Sequence, residues 1–403
     1  MNGERGHVYD VEAVRIQFPA LAGGTAHFDG PGGSQTPRAV ADAVHHALVA
    51  GVSNRGQMTK AERRADRIVI DARRAVADLL GVDPFGVVFG RSMTQLTFDF
   101  SRAIAKQWRP GDEVVVTRLD HDANIRPWVQ AAAVAGATVR WVDFDRETGE
   151  LPLELVTAAI SDRTRVVAVT AASNLLGTRP DIAAIAEAAH RAGAICYVDG
   201  VHLAPHAFVE FAALGADVFV CSPYKFCGPH LGVLAATPAL LETLRPDKLL
   251  PSTNAVPERF ELGTLPYELL AGVTAAVDFL AGLAPATGER RPRLRDSFEA
   301  LETHETAMLQ RLDDGLELLG NVTRYGRPVR RTPLVLFSVA GVDSAEVYRR
   351  LAEANVNAPA GSFYALECSR WLGLGDHGAV RAGIAPYTNN QDVDRLLDAL
   401  ADL

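Results

Sequence analysis

The sequence predicts an α/β protein, with a mostly parallel central sheet covered by helices on both faces and a small α+β C-terminal domain. Two observations carry that prediction. From Val87 to Val220, short Val-rich runs alternate with amphipathic stretches of helical length. A segment rich in Pro, Gly and charge, Ala284 to Pro292, then interrupts the pattern, and a different one follows it. In an open sheet of this kind the ligand site lies at the carboxyl ends of the strands.

The elements follow in order. An N-terminal segment covers residues 1–27, and the large domain is expected over 28–283. Val87-Val88-Phe89 reads as a strand leading into a helix from about Thr94 to Gln107. Glu113 to Val116 is the next strand, followed by a helix from Asn124 to Ala135 and a strand from Thr138 to Val142. Arg165 to Val169 precedes a helix from Asp181 to Ala192, and Ala194 to Val198 forms the strand after it. Beyond the linker, the small domain is expected over 284–403, with a long helix, a Leu334–Ser338 strand and a closing helix from about Gln391.

Composition narrows the function classes. Across 403 residues, 48% hydrophobic and 22% charged content describes a globular chain and not a disordered one. A net charge of −9 argues against general nucleic-acid affinity. No apolar run reaches membrane-spanning length, and Met1-Asn2-Gly3-Glu4-Arg5 leads into no signal-peptide core. Cys196, Cys221, Cys227 and Cys368 have no metal-ligand spacing and read as buried thiols of a reducing cytoplasm. The expected partner is therefore a small molecule, with no metal, nucleic acid or membrane.

The most informative stretch runs from Tyr197 to Leu234. Asp199 closes one apolar strand, and Lys225 stands just beyond a second, Asp217 to Cys221. An acid and a lysine so placed lie side by side at one sheet edge. A pyridoxal phosphate enzyme needs that pair: the lysine forms the imine with the cofactor aldehyde, and the carboxylate keeps the pyridine nitrogen protonated. Alone, Lys225 reads as a solvated lysine. The order Asp199-x-x-His202, then Ser222-x-x-Lys225 with Gly228-Pro229 behind, is far harder to obtain by chance.

In these residues the chain resembles the fold-type I pyridoxal phosphate enzymes, specifically the class V aminotransferase and cysteine desulfurase group, from about Phe28 to the C-terminus. The resemblance implies pyridoxal 5'-phosphate as cofactor and roles for several residues. Gly90-Arg91-Ser92-Met93-Thr94 matches a turn holding the cofactor phosphate, with Thr94 retained and Met93 offering its backbone N–H. His121, in Asp120-His121-Asp122-Ala123-Asn124, matches a histidine that lies flat on the pyridine ring. Asn174 matches a residue beside the substrate imine, and His202 stands where desulfurases usually carry a Gln bonded to the phenolic oxygen. Ser222 and Tyr224 match phosphate contacts, Tyr224 replacing the usual His. Thr264 matches a residue reaching the phosphate from the other subunit, which implies a homodimer with shared active sites. Arg381 matches the clamp for the substrate carboxylate, and Arg55 an arginine at the substrate mouth.

The match departs at one place. A desulfurase needs a mobile thiolate on a loop before the carboxylate arginine. Here Gly361-Ser362-Phe363-Tyr364 puts Tyr364 at that position, while Cys368 falls within an apolar helical pattern. The expectation is a desulfurase-like enzyme acting on an amino acid through an external imine, without the persulfide-forming cysteine. Transamination, racemisation or epimerisation, and C–S lysis remain open alternatives, with a catalytically quiet cofactor-binding regulator as the reading from another class.

Overall fold

The computed structural model describes residues 9–403, so the Met1–Arg5 opening lies outside the described residues. A seven-stranded sheet forms the centre of the larger unit. Its strands are β1 (Val87–Gly90), β2 (Glu113–Thr117), β3 (Thr138–Val142), β4 (Thr164–Thr170), β5 (Ile195–Asp199), β6 (Val218–Cys221) and β7 (Gly232–Ala236). They lie in the order β1-β7-β6-β5-β4-β2-β3. All neighbours from β6 to β3 pair in parallel.

The Val-rich runs become strands because both faces of this sheet are covered, so polar alternation is not needed. Successive residues still point to opposite sides. Val115, Val167, Val198 and Phe219 enter one apolar cluster, and Val114, Val166, Tyr197 and Val218 enter the other. Helices α1 (Arg38–Val49), α2 (Lys60–Leu80), α3 (Met93–Ala105), α4 (Arg126–Ala135), α5 (Ile182–Arg191) and α6 (Tyr267–Leu280) accompany the sheet. The ends of α2 follow from sequence. Thr59 and Glu62 form a capping box at its start, and Gly81, at φ 72°, closes it.

One strand breaks the parallel pattern. β7 runs antiparallel to both β6 and β1. The short Ser222–Leu231 connection is too tight for a helical crossover, so the chain must double back.

Helix α7 (Arg290–Leu318) begins within the expected linker and leads to a four-stranded antiparallel sheet. Its strands are β8 (Val322–Tyr325), β9 (Leu334–Val339), β10 (Ala360–Gly361) and β11 (Ala379–Gly383), in the order β10-β11-β9-β8. Helices α8 (Ser344–Glu353), α9 (Leu366–Trp371) and α10 (Asn390–Ala401) complete the unit. Ala26–His27 pairs in parallel with Val356–Asn357, and Phe28 is buried among Leu312, Phe337 and Leu396. Residues 26–28 thus pack with the C-terminal unit.

Candidate active site

The site lies where the carboxyl ends of β2, β4, β5 and β6 meet the small unit. Lys225 closes a one-turn helix, Pro223–Lys225, immediately after β6. Its Nζ donates to the Pro31 carbonyl. Burial, with the Arg381 charge, pushes its pKa down to about 7, and Asp199 opposes both. Asp199 ends β5, where its Oδ1 accepts the Val201 N–H at 2.9 Å. Burial pushes this carboxyl up to about 7, against that hydrogen bond and the Lys225 charge. An almost fully buried acid with one backbone donor on Oδ1 has capacity for a further partner, and a protonated ring nitrogen would supply one.

His121 follows β2. Its Nδ1 accepts the Ala123 N–H at 3.0 Å, which leaves the ring proton on Nε2. Burial, with Lys225 and Arg381 nearby, takes its pKa down to about 3, so the imidazole is neutral. Asp120, beside it, is buried against Thr117 and the Asn124 amide and is raised to about 8.

Ser92 caps α3, accepting the Gln95 N–H at 3.1 Å, and the first N–H groups of that helix open towards the same space. The approach depends on Gly232. A Cβ there would meet the Ser92–Met93 backbone at 2.2–2.5 Å, so a side chain would push the helix start away. Tyr224 stacks on His230 at 4.7 Å between ring centroids, with Lys225 Nζ 4.9 Å from the Tyr224 ring.

Arg381 lies on β11, only 2% exposed. Its Nη1 donates to the Asn174 carbonyl at 2.7 Å, and its Nε has no partner among the described residues. Burial lowers its pKa, with Asp29 opposing. Among the described residues nothing acidic is bonded to this buried cation, and the open edge through Nε suits a carboxylate. The Phe363 ring covers its face, with Cζ 3.7 Å from the ring centroid.

Met93, Thr94, His121, Asn174, Asp199, His202, Ser222, Tyr224, Lys225 and Arg381 line one cavity of about 300 Å³. Two expected residues stand apart from it. Arg55 is bonded to Asp66 at 2.9 Å and Glu258 at 3.1 Å, outside the cavity of its own chain. Thr264 lines an adjoining space of about 890 Å³ that also touches Arg91, Ser92 and Thr94. Sequence reasoning missed Pro31, Gly32 and Phe363, which line the same cavity as Lys225. The Gly30-Pro31-Gly32-Gly33 cluster was a visible turn signal for the first two; nothing in the sequence marked Phe363.

The residues present fit pyridoxal phosphate. Asn174 Oδ1, His202 Nε2 and Arg381 Nε are buried and unpartnered among the described residues, around an amine and an acid that lower each other's cost. Tyr364, 76% exposed, sits at the mouth beside His121, their ring centroids 5.7 Å apart. Its carbonyl accepts the Asp122 N–H at 2.7 Å, and the Phe363 carbonyl accepts from the Asn174 amide at 3.0 Å. Phe363 and Tyr364 both have left-handed backbones, φ 51° and 57°. All four cysteines are free and buried.

Residues 26–396 match the family described as Aminotransferase class-V. The chain is 37% identical to the uncharacterized protein MT3887 of Mycobacterium tuberculosis, over 98% of this chain and 99% of that protein. It is 31% identical to a probable cysteine desulfurase of Pseudomonas aeruginosa, over 96% of each. The crystal structure of the cysteine desulfurase CsdA from Escherichia coli is similar at a TM-score of 0.85 and 28% identity, covering 97% of this chain and 98% of that one.

Proposed function

The chain belongs to the class-V aminotransferase family, and from that membership we propose a pyridoxal 5'-phosphate enzyme that acts on an amino acid without a persulfide-forming cysteine. One observation carries the reading: Lys225, Asp199, His121 and Arg381 come from four separate segments and line a single cavity. When bound, pyridoxal phosphate supplies an electron sink that weakens bonds at the α-carbon of an amino acid. Lys225 is the covalent anchor. With a pKa of about 7 its amine is partly neutral at neutral pH, free to take and return a proton at the α-carbon. Asp199 is the partner for the ring nitrogen, and neutral His121 is the flat surface against the ring. Met93 and Thr94 at the start of α3, with Ser222 and Tyr224, hold the phosphate, His202 and Asn174 serve the phenolic side, and Arg381 orients the carboxylate through its open edge.

The absence of sulfur transfer rests on the cysteines. Burial raises the Cys368 thiol, in α9, and pushes that of Cys227 up to about 12, so neither is a ready nucleophile. Elimination, transamination and racemisation all remain compatible with the same constellation. We also infer a homodimer in which Thr264 and Arg55 serve the partner's site, a division into residues 28–283 and 284–403 behind an N-terminal segment, and a cytoplasmic setting. The apolar lining of the space beside Thr264, with Phe98, Leu262 and Leu269, supports the dimer.

The test is spectroscopic. Purified protein supplied with pyridoxal phosphate should develop a long-wavelength absorption band, and a screen of amino acids should shift it for the substrate class. Protein that never develops the band overturns the reading.

A further inference from the structure

Behind the cavity lies a buried pair that none of the roles above uses. Glu305, in the middle of α7, is 2% exposed, and both of its oxygens sit 3.0–3.1 Å from His206 Nδ1. His206 is itself buried and packs edge-to-face on His202, their centroids 5.1 Å apart at 73°. His202 lines the cavity, and its Nε2 has no partner among the described residues. Glu305, His206 and His202 therefore form an unbroken line from the middle of α7 to the cavity.

A buried carboxylate–imidazole pair is a poor way to stabilise a core. Apolar residues of similar volume usually do as well or better, because both polar groups must be stripped of water. What such a pair supplies is orientation. Two carboxylate oxygens on one Nδ1–H fix the His206 ring and put its proton on Nδ1. The fixed ring then limits how His202 can turn. The charged groups facing His202 across the cavity are Lys225 and Arg381. Those acting on Glu305 are His206 and, on its own helix, Glu302, with Tyr9 and Cys227 as uncharged neighbours.

We propose that Glu305 and His206 are a positioning pair that holds the His202 ring at the angle in which it hydrogen-bonds the cofactor. The proposal rests on the reading of the cavity as a pyridoxal phosphate site, and the two can fail separately.

The experiment compares Glu305→Leu, Glu305→Gln, His206→Leu, His202→Ala and the Glu305→Leu/His202→Ala and Glu305→Leu/His206→Leu double variants. The readouts are pyridoxal phosphate affinity, the position of the visible band, and the melting temperature of the cofactor-free protein. Glu305→Leu and His206→Leu should each weaken cofactor binding about tenfold, the scale of one lost hydrogen bond. They should also move the band as His202→Ala does. Glu305→Gln, which still accepts from Nδ1–H, should restore both. The Glu305→Leu/His202→Ala variant should be no worse than His202→Ala alone. Removing one partner leaves the other buried and unpaired, so each single leucine variant, free of cofactor, should melt lower than the wild type. The Glu305→Leu/His206→Leu variant, which removes the whole pair, should melt no lower, an outcome a purely structural role would not allow. Wild-type affinity and spectrum in Glu305→Leu, or full additivity with His202→Ala, overturns the proposal. So does failure of both leucine variants to fold. Wild-type protein that takes up no pyridoxal phosphate instead sinks the reading of the cavity itself.

Discussion

The Arg381 guanidinium carbon lies over the Phe363 ring, 3.7 Å from its centroid. The ring keeps water off one face of a buried cation whose Nη1 is already engaged with the Asn174 carbonyl. What remains for a ligand is the edge. An approaching carboxylate therefore meets a charge that is desolvated and held in plane, where electrostatic attraction is strongest.

Phe363→Ala should loosen that arrangement. A desolvated cation–π contact contributes about 2 kcal/mol, so affinity for an amino acid should fall up to roughly 30-fold. Binding of the matching amino-acid amide, which lacks the carboxylate, should change little. Titrating the visible band with both ligands checks this. Equal losses for both would show that Phe363 acts on the whole cavity and not on the carboxylate.

Borohydride reduction of protein loaded with pyridoxal phosphate should put the pyridoxyl group on Lys225. Peptide mapping identifies the site, and label on another lysine would refute the assignment. Asp199→Ala should retain bound cofactor through the phosphate contacts yet lose turnover. A charge-assisted hydrogen bond contributes roughly 1.5–3 kcal/mol, which corresponds to at least a tenfold fall.

Uptake of the cofactor should depend on pH through Lys225. Attack on an aldehyde needs the unprotonated amine, and burial has brought this one from 10.5 to about 7. The loading rate of cofactor-free protein should rise through about pH 7 and level off near pH 8. Between those two pKa values the unfolded chain holds a proton that native Lys225 has lost. The lysine's contribution to stability therefore rises with pH across that window. Lys225→Met should flatten that part of the unfolding profile. A loading rate still climbing steeply at about pH 9 would mean an ordinary lysine.

L-Cysteine should leave no persulfide on this protein. Cys368 is fully buried, and Cys227 is held in a left-handed turn with its N–H donated to Ser34 Oγ. Cys368→Ser should leave turnover of the true substrate within about twofold, since a buried thiol without a partner contributes packing only. Intact mass spectrometry after incubation with cysteine is decisive. A stoichiometric persulfide lost in Cys368→Ser or Cys227→Ser would establish a desulfurase with a displaced nucleophile.

The strands were legible because Val and Ile runs bounded by helical stretches have few other physical outcomes, and Asp199 and Lys225 fell at the strand ends the pattern implied. β7 was less legible, since apolar periodicity carries no direction and only the short connection from Ser222 forces the reversal. The cavity's far wall was hidden for another reason. Phe363 and Pro31 reach Lys225 only through tertiary packing across nearly the whole chain, and no local motif records such a contact. Arg55 illustrates the converse. A motif can nominate a residue, but its neighbours decide where it points, and in this chain Asp66 and Glu258 hold it.

The parallel pairing of Ala26–His27 with Val356–Asn357 has a consequence for biosynthesis. The turn that supplies the Pro31 carbonyl to Lys225 is anchored by a strand that is synthesised well after Lys225, as is Arg381. Until then the nascent chain carries an amine with neither its carbonyl cradle in position nor the cation that helps keep it neutral. The site is therefore completed only once β11 has been made, and a chain cut short before it would be blank rather than partly active.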